Sequence, residues 1–123
     1  MVNAICCIED EAAVRATLQT VLGDQGEILN ASTAQEAIEY LVHEPALFII
    51  DLHLPGMNGL ELTKLIRTIF PSAPILVMTA LSRNKYEDKA MEMGATGFIE
   101  KPFDPDKLRD MVSNLLPRRP LMN

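Results

Sequence analysis

The 123-residue chain contains no tryptophan, and aromatic residues make up only 5% of it. The sequence therefore disfavours a stacking surface for single-stranded nucleic acid. Basic residues are also in the minority, with 11 against 17 acidic residues and a formal net charge of −6. Such a charge creates no general attraction for phosphate groups, so we expect no direct binding of nucleic acid.

Cysteine and long apolar runs are scarce as well. The two cysteines, Cys6 and Cys7, are adjacent, which excludes a disulfide framework, and two histidines are too few to make a Cys/His zinc cluster a good hypothesis. No apolar run approaches the roughly 18 residues that a membrane span needs, and the apolar N-terminus is too short for a signal peptide. We therefore expect a cytoplasmic protein that contacts no membrane.

What the chain does contain is enough apolar material for one core. Hydrophobic residues make up 48% of the sequence, which is typical of a folded domain. The length predicts one domain, which we place at residues 1–116. Residues 117–123, with two prolines around two arginines, are typical of a tail or the start of a linker.

Five β-favouring runs alternate with stretches of helical periodicity. The runs are residues 4–8, 27–30, 46–50, 75–79 and 97–100. Runs that are apolar nearly throughout, such as Leu47-Phe48-Ile49-Ile50, are typical of strands covered on both faces. The pattern predicts an α/β fold in which helices pack on both faces of a five-stranded parallel sheet.

Polar residues mark where three of the helices begin. Thr33 and Glu36 have the spacing of a capping box, and Asn58 and Glu61 are spaced in the same way. Asp104 stands before a proline at the expected first helical position. These signals place two of the helices between predicted strands and one after the last strand.

Four of the predicted strands lead into short segments that carry reactive groups. The segments are Glu9, Asp10 and Glu11 after the first strand, Asp51 after the third, Thr79 and Ala80 at the fourth, and Lys101 and Pro102 at the fifth. In an open parallel sheet, ligands bind beyond the carboxyl ends of the strands. The sequence therefore predicts one site at that edge.

The chemistry of these groups suits a phosphoryl group bound on or near a carboxylate. Asp10 and Asp51 on neighbouring strand ends would repel each other, and a hard cation such as Mg²⁺ would relieve that repulsion. Lys101 would balance further negative charge, and a carboxylate can itself be the nucleophile of phosphoryl transfer. Taken singly, each residue has an ordinary alternative, with Glu9 as a helix cap and Asp51 as a turn residue.

Together these segments resemble the receiver domain of two-component response regulators. The matching pieces are residues 8–11 (IEDE), 51–61 (DLHLPGMNGLE), 77–80 (VMTA) and 94–103 (GATGFIEKPF), in the family's order across residues 1–116. The resemblance implies a doubly wound, flavodoxin-like (CheY-like) fold with strand order 2-1-3-4-5 and five helices on both faces of the sheet.

The resemblance also implies a role for each acidic residue. Asp51 would be the phosphoacceptor, and its donor would be a sensor histidine kinase or a histidine phosphotransfer protein. The reaction would depend on Mg²⁺ (or Mn²⁺), held by Asp10 and Asp51, by Glu9 through water, and by the backbone carbonyl of His53. The domain would not be an enzyme, although it would assist its own phosphorylation and dephosphorylation.

The remaining implied roles concern the phosphoryl group and the switch. Thr79, Ala80 and Lys101 would bind the phosphoryl group, and the bond before Pro102 would be cis. Phe98 would be an aromatic switch that follows Thr79. The signalling surface would be the fourth helix, fifth strand and fifth helix, about residues 83–116, where an output domain, an effector protein or a second copy of the chain could dock.

Two departures from the family's usual pattern matter. Glu9 replaces the commoner Asp, and its longer side chain could alter the geometry of the metal site. Phe98 stands where Tyr is frequent, so a switch here works by packing and without a phenol hydrogen bond. The side chain of His53, two residues past the acceptor, is expected to be a solvent-exposed loop residue.

Three other functions fit the sequence less well. A haloacid-dehalogenase-like phosphatase usually has a second Asp where this chain has His53. A flavodoxin-like or nucleotide-binding module needs a phosphate loop after the first strand, where Glu9, Asp10 and Glu11 would repel phosphate in the absence of a metal. A receiver that has lost phosphorylation and only binds proteins is disfavoured by the intact set of acidic residues, threonine and lysine.

Overall fold

The computed structural model describes residues 3–80 and 83–117, in which strands and helices alternate. The strands are β1 (Ala4–Ile8), β2 (Glu27–Ala31), β3 (Leu47–Asp51), β4 (Ile75–Thr79) and β5 (Gly97–Glu100). The helices are α1 (Ala12–Leu22), α2 (Ala34–Tyr40), α3 (Gly59–Ile69), α4 (Arg83–Glu92) and α5 (Pro105–Leu115), and a 3₁₀ turn, Leu41–His43, continues α2. Beyond residue 117, the predicted tail lies outside the described residues.

All neighbouring strands are parallel, and their order is β2-β1-β3-β4-β5. This confirms the predicted fold class. Because the chain crosses from β2 over β1 to β3, the strand order reverses between β1 and β3, and ligands bind at such a switch point. The register pairs Ile8 with Ile50, so the residues that follow β1 lie beside the end of β3.

The core has two layers, one on each face of the sheet. Cys6 belongs to the layer covered by α2, α3 and α4, whereas Cys7 belongs to the layer covered by α1 and α5. Burial raises the pKa of the Cys6 thiol to about 12 and also raises that of Cys7. The two side chains thus lie on opposite faces of the sheet, as the alternation of side chains along a strand predicts. Both act as small, buried, protonated residues.

The predicted helix starts are confirmed by their capping hydrogen bonds. Oγ1 of Thr33 accepts from the Glu36 amide at 3.2 Å, and Oδ1 of Asn58 accepts from the Leu60 amide at 2.7 Å. Oδ1 of Asp104 accepts from the amide two residues later at 2.9 Å. These bonds satisfy amides that have no partner inside the helix.

Several details differ from the sequence prediction. β2 extends one residue further than expected, and β3 begins and ends one residue later, so that Asp51 is the last residue of β3. The helical periodicity of residues 60–69 predicts an apolar stripe on α3 (Leu60, Leu62, Leu65, Ile66 and Ile69). This stripe is only partly buried, because Leu60 and Leu65 are half-buried and Ile69 is 48% exposed at the end of the helix. Polar Thr63 is buried instead, since its hydroxyl donates to the carbonyl of Gly59 at 2.7 Å.

Among the described helices, none combines the length and apolar character needed to cross a bilayer.

Candidate functional site

Three charged side chains meet where β1, β3 and β5 end. Nζ of Lys101 donates to Oε2 of Glu9 at 2.9 Å and to Oδ2 of Asp51 at 3.0 Å. Both carboxylates are buried, whereas the lysine side chain is 11% exposed. The ammonium therefore bridges two carboxylates from different strands in a region with little water to screen them.

Asp51 is held by backbone as well as by the lysine. Its Oδ1 accepts from the His53 amide at 2.9 Å, while Oδ2 accepts from Lys101. Gly59, the first residue of α3, donates its amide to the carbonyl of Leu52 at 3.1 Å, which draws the start of α3 against the end of β3. A Cβ at Gly59 would lie only 2.4 Å from the Asp51 carbonyl oxygen, so this close approach requires glycine.

Glu9 is anchored at both its side chain and its backbone. Its Oε1 accepts from the Glu11 amide at 3.1 Å, so Glu9 does satisfy an amide at the start of α1 while its other oxygen faces Lys101. Its carbonyl accepts from Nη1 of Arg15 at 2.8 Å. The sequence prediction missed Arg15, and the only signal for it was a basic residue one turn into a helix that follows three acidic residues.

Burial and charge act in opposite directions on the two ends of this ion pair. Burial raises the pKa of Glu9 to about 7, although hydrogen bonds from Lys101 and the Glu11 amide oppose the rise. For Lys101, burial alone would lower the pKa, but its hydrogen bonds to Glu9 and Asp51 outweigh that effect and the pKa is raised. The lysine is therefore charged at neutral pH, and Glu9 is poised to gain or lose its proton.

The acidic residues are spaced as a cation site requires. Carboxylate oxygens of Glu9, Asp10 and Asp51 all lie within 4.8 Å of one another. Asp10 is exposed, whereas the other two are buried. A donor set made only of carboxylate oxygens suits a hard cation such as Mg²⁺, or Mn²⁺, that keeps several waters. The residues therefore fit the predicted metal.

A small pocket of about 170 Å³ opens beside these groups. It is lined by Asp10, Glu11, Asp51, His53, Ala80 and Lys101. Glu11, which the sequence places after the first strand without a specific role, has its Oε1 3.8 Å from Nζ of Lys101. His53 is exposed at the pocket wall, as expected for a loop residue.

The groups predicted to act in the switch lie on the last two strands. Thr79 is on β4, Phe98 is on β5, and the bond before Pro102 follows β5. Thr79 is the last residue of β4 and is buried, and its carbonyl accepts from the Lys101 amide at 2.8 Å. The Lys101–Pro102 peptide bond is cis. Phe98 is 5% exposed and belongs to the core layer beneath α4, so its ring points inward. The structure thus brings the predicted site residues to the edge of the sheet where the strands end, and Phe98 lies slightly further back, within β5.

A family model, curated relatives and solved structures all relate this chain to response regulators. The family model described as "Response regulator receiver domain" matches residues 5–113. The two-component response regulator PhoP of Pseudomonas aeruginosa is 40% identical over 115 residues, which cover 90% of this chain and 50% of PhoP. The sporulation initiation phosphotransferase F of Bacillus subtilis is 30% identical, over 95% of this chain and 96% of that protein.

The fold is shared with solved structures of the same kind. The chemotaxis protein CheY4 of Vibrio cholerae superposes with a TM-score of 0.87 at 25% identity, over 94% of this chain and 100% of CheY4. The chain spans about half the length of the curated relatives PhoP and Rre1, but nearly the whole of the phosphotransferase.

Proposed function

Because the chain belongs to the response regulator receiver family, we propose that it is a signalling switch controlled by phosphorylation of Asp51. The observation that carries the proposal is the pair of hydrogen bonds from Lys101 to Glu9 and Asp51. Two buried carboxylates and the lysine ammonium lie together at one edge of the sheet. The phosphoryl donor in this proposal is a phosphohistidine of a sensor kinase or a histidine phosphotransfer protein.

In the proposed reaction, a carboxylate oxygen of Asp51 attacks the phosphorus atom in line with the phosphorus–nitrogen bond. A new phosphorus–oxygen bond forms, the phosphorus–nitrogen bond breaks, and the imidazole leaves with its electron pair and takes up a proton. The His53 amide and the Lys101 ammonium orient the attacking carboxylate. Catalysis of this kind is mainly positioning and charge stabilisation.

The chain's own residues also accommodate the charge that arrives with the phosphoryl group. Glu9, Asp10, Asp51 and the carbonyl of His53 would hold Mg²⁺, which when bound neutralises negative charge on the phosphoryl oxygens. Lys101 donates to one phosphoryl oxygen, and Thr79 and Ala80 border another. The phosphoryl group carries about −1.5 to −2 charge and replaces the single negative charge of the Asp51 carboxylate, so the site becomes more negative, which favours a shift of Lys101 away from Glu9.

We propose that the signal leaves through α4, β5 and α5. Movement of Thr79 towards the phosphoryl group would open space that the ring of Phe98 fills. Since Phe98 is already buried and has no hydroxyl to keep hydrated, phosphorylation would increase the population of an inward state that exists beforehand. An output domain, an effector protein or a second copy of the chain would bind the changed surface.

We also propose a cytoplasmic location, because the buried free thiols of Cys6 and Cys7 suit a reducing compartment.

The proposal is tested by incubating the protein with a small phosphodonor such as acetyl phosphate and Mg²⁺, followed by intact mass measurement. The wild type should gain the mass of one phosphoryl group, which is lost on acid treatment. Asp51→Asn should gain nothing, and Asp10→Ala or EDTA should reduce the gain severely, because the acceptor or the metal site is lost.

Asp88→Asn is the matched control, because Asp88 is an exposed aspartate on α4, away from the pocket, and it should be phosphorylated like the wild type. Undiminished incorporation in Asp51→Asn would move the nucleophile elsewhere and contradict the assignment. No incorporation in the wild type at any Mg²⁺ concentration would favour a receiver that acts only by binding proteins.

A further inference from the structure

Arg67, near the end of α3, links that helix to the turn after α4. Its Nε and Nη2 donate to the carbonyl oxygen of Gly94 at 3.0 and 2.7 Å. Its Nη1 donates to the carbonyl oxygens of Phe70 and Pro71, each at 3.0 Å, and Nη2 lies 3.4 Å from Oγ1 of Thr96. One planar, permanently charged group therefore holds carbonyls of both helix ends, a task that suits the fork of donors in arginine.

The turn can approach Arg67 this closely only because residue 94 is glycine. Gly94 has a φ of +108°, a conformation that other residues rarely adopt. A Cβ at this position would also lie 2.6 Å from Cγ of Arg67. The side chain of Arg67 thus lies directly across the backbone of the turn.

Backbone hydrogen bonds fix the same end of α4 to its surroundings. The amide of Gly94 donates to the carbonyl of Met91 at 3.0 Å, and the amide of Ala95 donates to that of Ala90 at 3.0 Å. The amide of Thr96 donates to the carbonyl of Ile75 at 2.7 Å, which joins the turn to the start of β4. The C-terminal end of α4 is therefore tied to α3 and to the sheet.

The rest of α4 is held by much less apolar surface. Of the α4 side chains that the structure describes, residues 85–92, only Ala90 is buried, and Tyr86 and Glu87 are half-buried. By contrast, α3 buries Leu62 and Ile66 completely. Because hydrophobic stabilisation grows with buried apolar area, residues 85–92 of α4 contribute less of it than α3 does.

We propose that Arg67 clamps the C-terminal end of α4, so that phosphorylation turns α4 as a lever about Gly94. This inference rests on the proposed function, since it needs a phosphorylated state that moves α4. With 10 residues, α4 is about 15 Å long, so a tilt of about 15° moves its far end by about 4 Å and the clamped end by less than about 1 Å.

The test uses the full chain with a nitroxide on Ser113→Cys, an exposed position of α5. α5 is a suitable reference because Arg109 holds it to α1, donating to the Val21 carbonyl at 2.9 Å and pairing with Asp24. The native Cys6 and Cys7 are buried and inert towards the label. Paramagnetic relaxation of the α4 amides is compared before and after addition of beryllofluoride and Mg²⁺, and fluorine NMR reports whether beryllofluoride is bound.

In the wild type, relaxation at the Lys85 and Tyr86 amides should change several-fold, because the effect varies with the sixth power of distance. Relaxation at Met93 and Gly94 should stay nearly constant. Arg67→Lys keeps the charge but loses the planar fork, and Arg67→Met removes both. In these two variants the Met93 and Gly94 amides should respond as strongly as those at the other end. Lys64→Met, which removes an exposed charge from the same helix, should behave like the wild type.

Equal changes at both ends in the wild type, or wild-type behaviour in both Arg67 variants, would overturn the clamp and leave the proposed function intact. Bound beryllofluoride with no change at either end would contradict the proposed switching, and the lever with it. Failure of beryllofluoride to bind would contradict the phosphoacceptor site itself.

Discussion

Nζ of Lys101 lies 3.0 Å from Oδ2 of Asp51, although 50 positions separate the two residues in the chain. The contact exists because β3 and β5 both pair with β4 and end at the same edge of the sheet. Without a metal or a phosphoryl group, this lysine is what balances a buried carboxylate. Any cation or phosphoryl group that enters the site must therefore share Asp51 with Lys101.

Lys101→Met should destabilise the protein most when no divalent cation is present. The substitution leaves Glu9 and Asp51 buried without their counter-ion, and we expect a loss of about 2–4 kcal/mol, below that of a fully buried pair because Lys101 is partly exposed. Chemical denaturation at pH 7.5 in EDTA and in excess Mg²⁺ measures the effect. Mg²⁺ should recover a larger part of the stability of the variant than of the wild type.

Lys107→Met is the matched control for this prediction. Lys107 is exposed on α5, so its removal should change stability by no more than about 0.5 kcal/mol, with or without Mg²⁺. If the loss in Lys101→Met were the same in EDTA and in Mg²⁺, the lysine and the cation would not be sharing the same carboxylates.

The stability of the metal-free protein should fall as the pH rises through neutrality, because of Glu9. Its folded pKa of about 7 lies above the unfolded value of about 4.3, so the folded state binds this proton more tightly. The resulting stabilisation is fully present below about pH 4.3 and is lost as the pH rises through about 7. In EDTA, the free energy of unfolding of the wild type relative to Glu9→Gln should fall by roughly 1–3 kcal/mol between pH 4.5 and 8.

Mg²⁺ should reduce this pH dependence, since a bound cation favours the carboxylate form. Glu39→Gln, which changes an exposed acid on α2, should follow the wild type across the same pH range. A wild type and a Glu9→Gln variant with parallel stability curves in EDTA would show that the Glu9 proton is bound equally in the folded and unfolded states.

Metal binding should be weak. The carboxylates of Asp10 and Asp51 and one carbonyl, with Glu9 bound through water, leave several coordination positions to water, unlike an all-protein cage, so a titration followed by amide NMR should saturate only at roughly sub-millimolar to millimolar Mg²⁺. Asp10→Ala should weaken binding strongly, whereas Asp88→Ala, on the exposed side of α4, should not. Stoichiometric binding at micromolar Mg²⁺ would indicate a different kind of site.

Phe98 should contribute to both stability and switching. Phe98→Ala should cost about 3–5 kcal/mol because the ring is 5% exposed within the core, whereas Phe103→Ala, at a half-buried position, should cost less. In the wild type, beryllofluoride should shift the amide signals of Thr79, Phe98 and α4 together. If only the residues that touch Asp51 shifted, the switch through Phe98 would be wrong, even with Asp51 as the acceptor.

The fold was predictable because its signals are local. Continuous apolar runs such as Leu47-Phe48-Ile49-Ile50 mark buried strands wherever they occur, and Thr33, Asn58 and Asp104 cap helices within three residues of themselves. The one-residue shift of β3 arises because its pairing with β4, and not the apolar run, decides where the strand ends.

The candidate site was predictable in its membership but not in its contacts. Parallel strands end at a common edge, so Glu9, Asp51 and Lys101 could be grouped from their positions after apolar runs. That Lys101 bridges Glu9 and Asp51, and that Arg15 holds the Glu9 carbonyl, depends on side-chain directions that no local pattern specifies.

The amino-acid sequence by itself determined the order of strands and helices along the chain, the starts of three helices, and the strand ends at which charged groups collect. Each of these follows from periodicity or from hydrogen bonds between near neighbours. Only the tertiary structure decided that Phe98 lies inward, that Ile69 stays exposed, and that Arg67 reaches the carbonyl of Gly94, 27 residues away. Those outcomes depend on how whole elements pack, since burial and long-range hydrogen bonds are settled by the neighbours that the fold brings together.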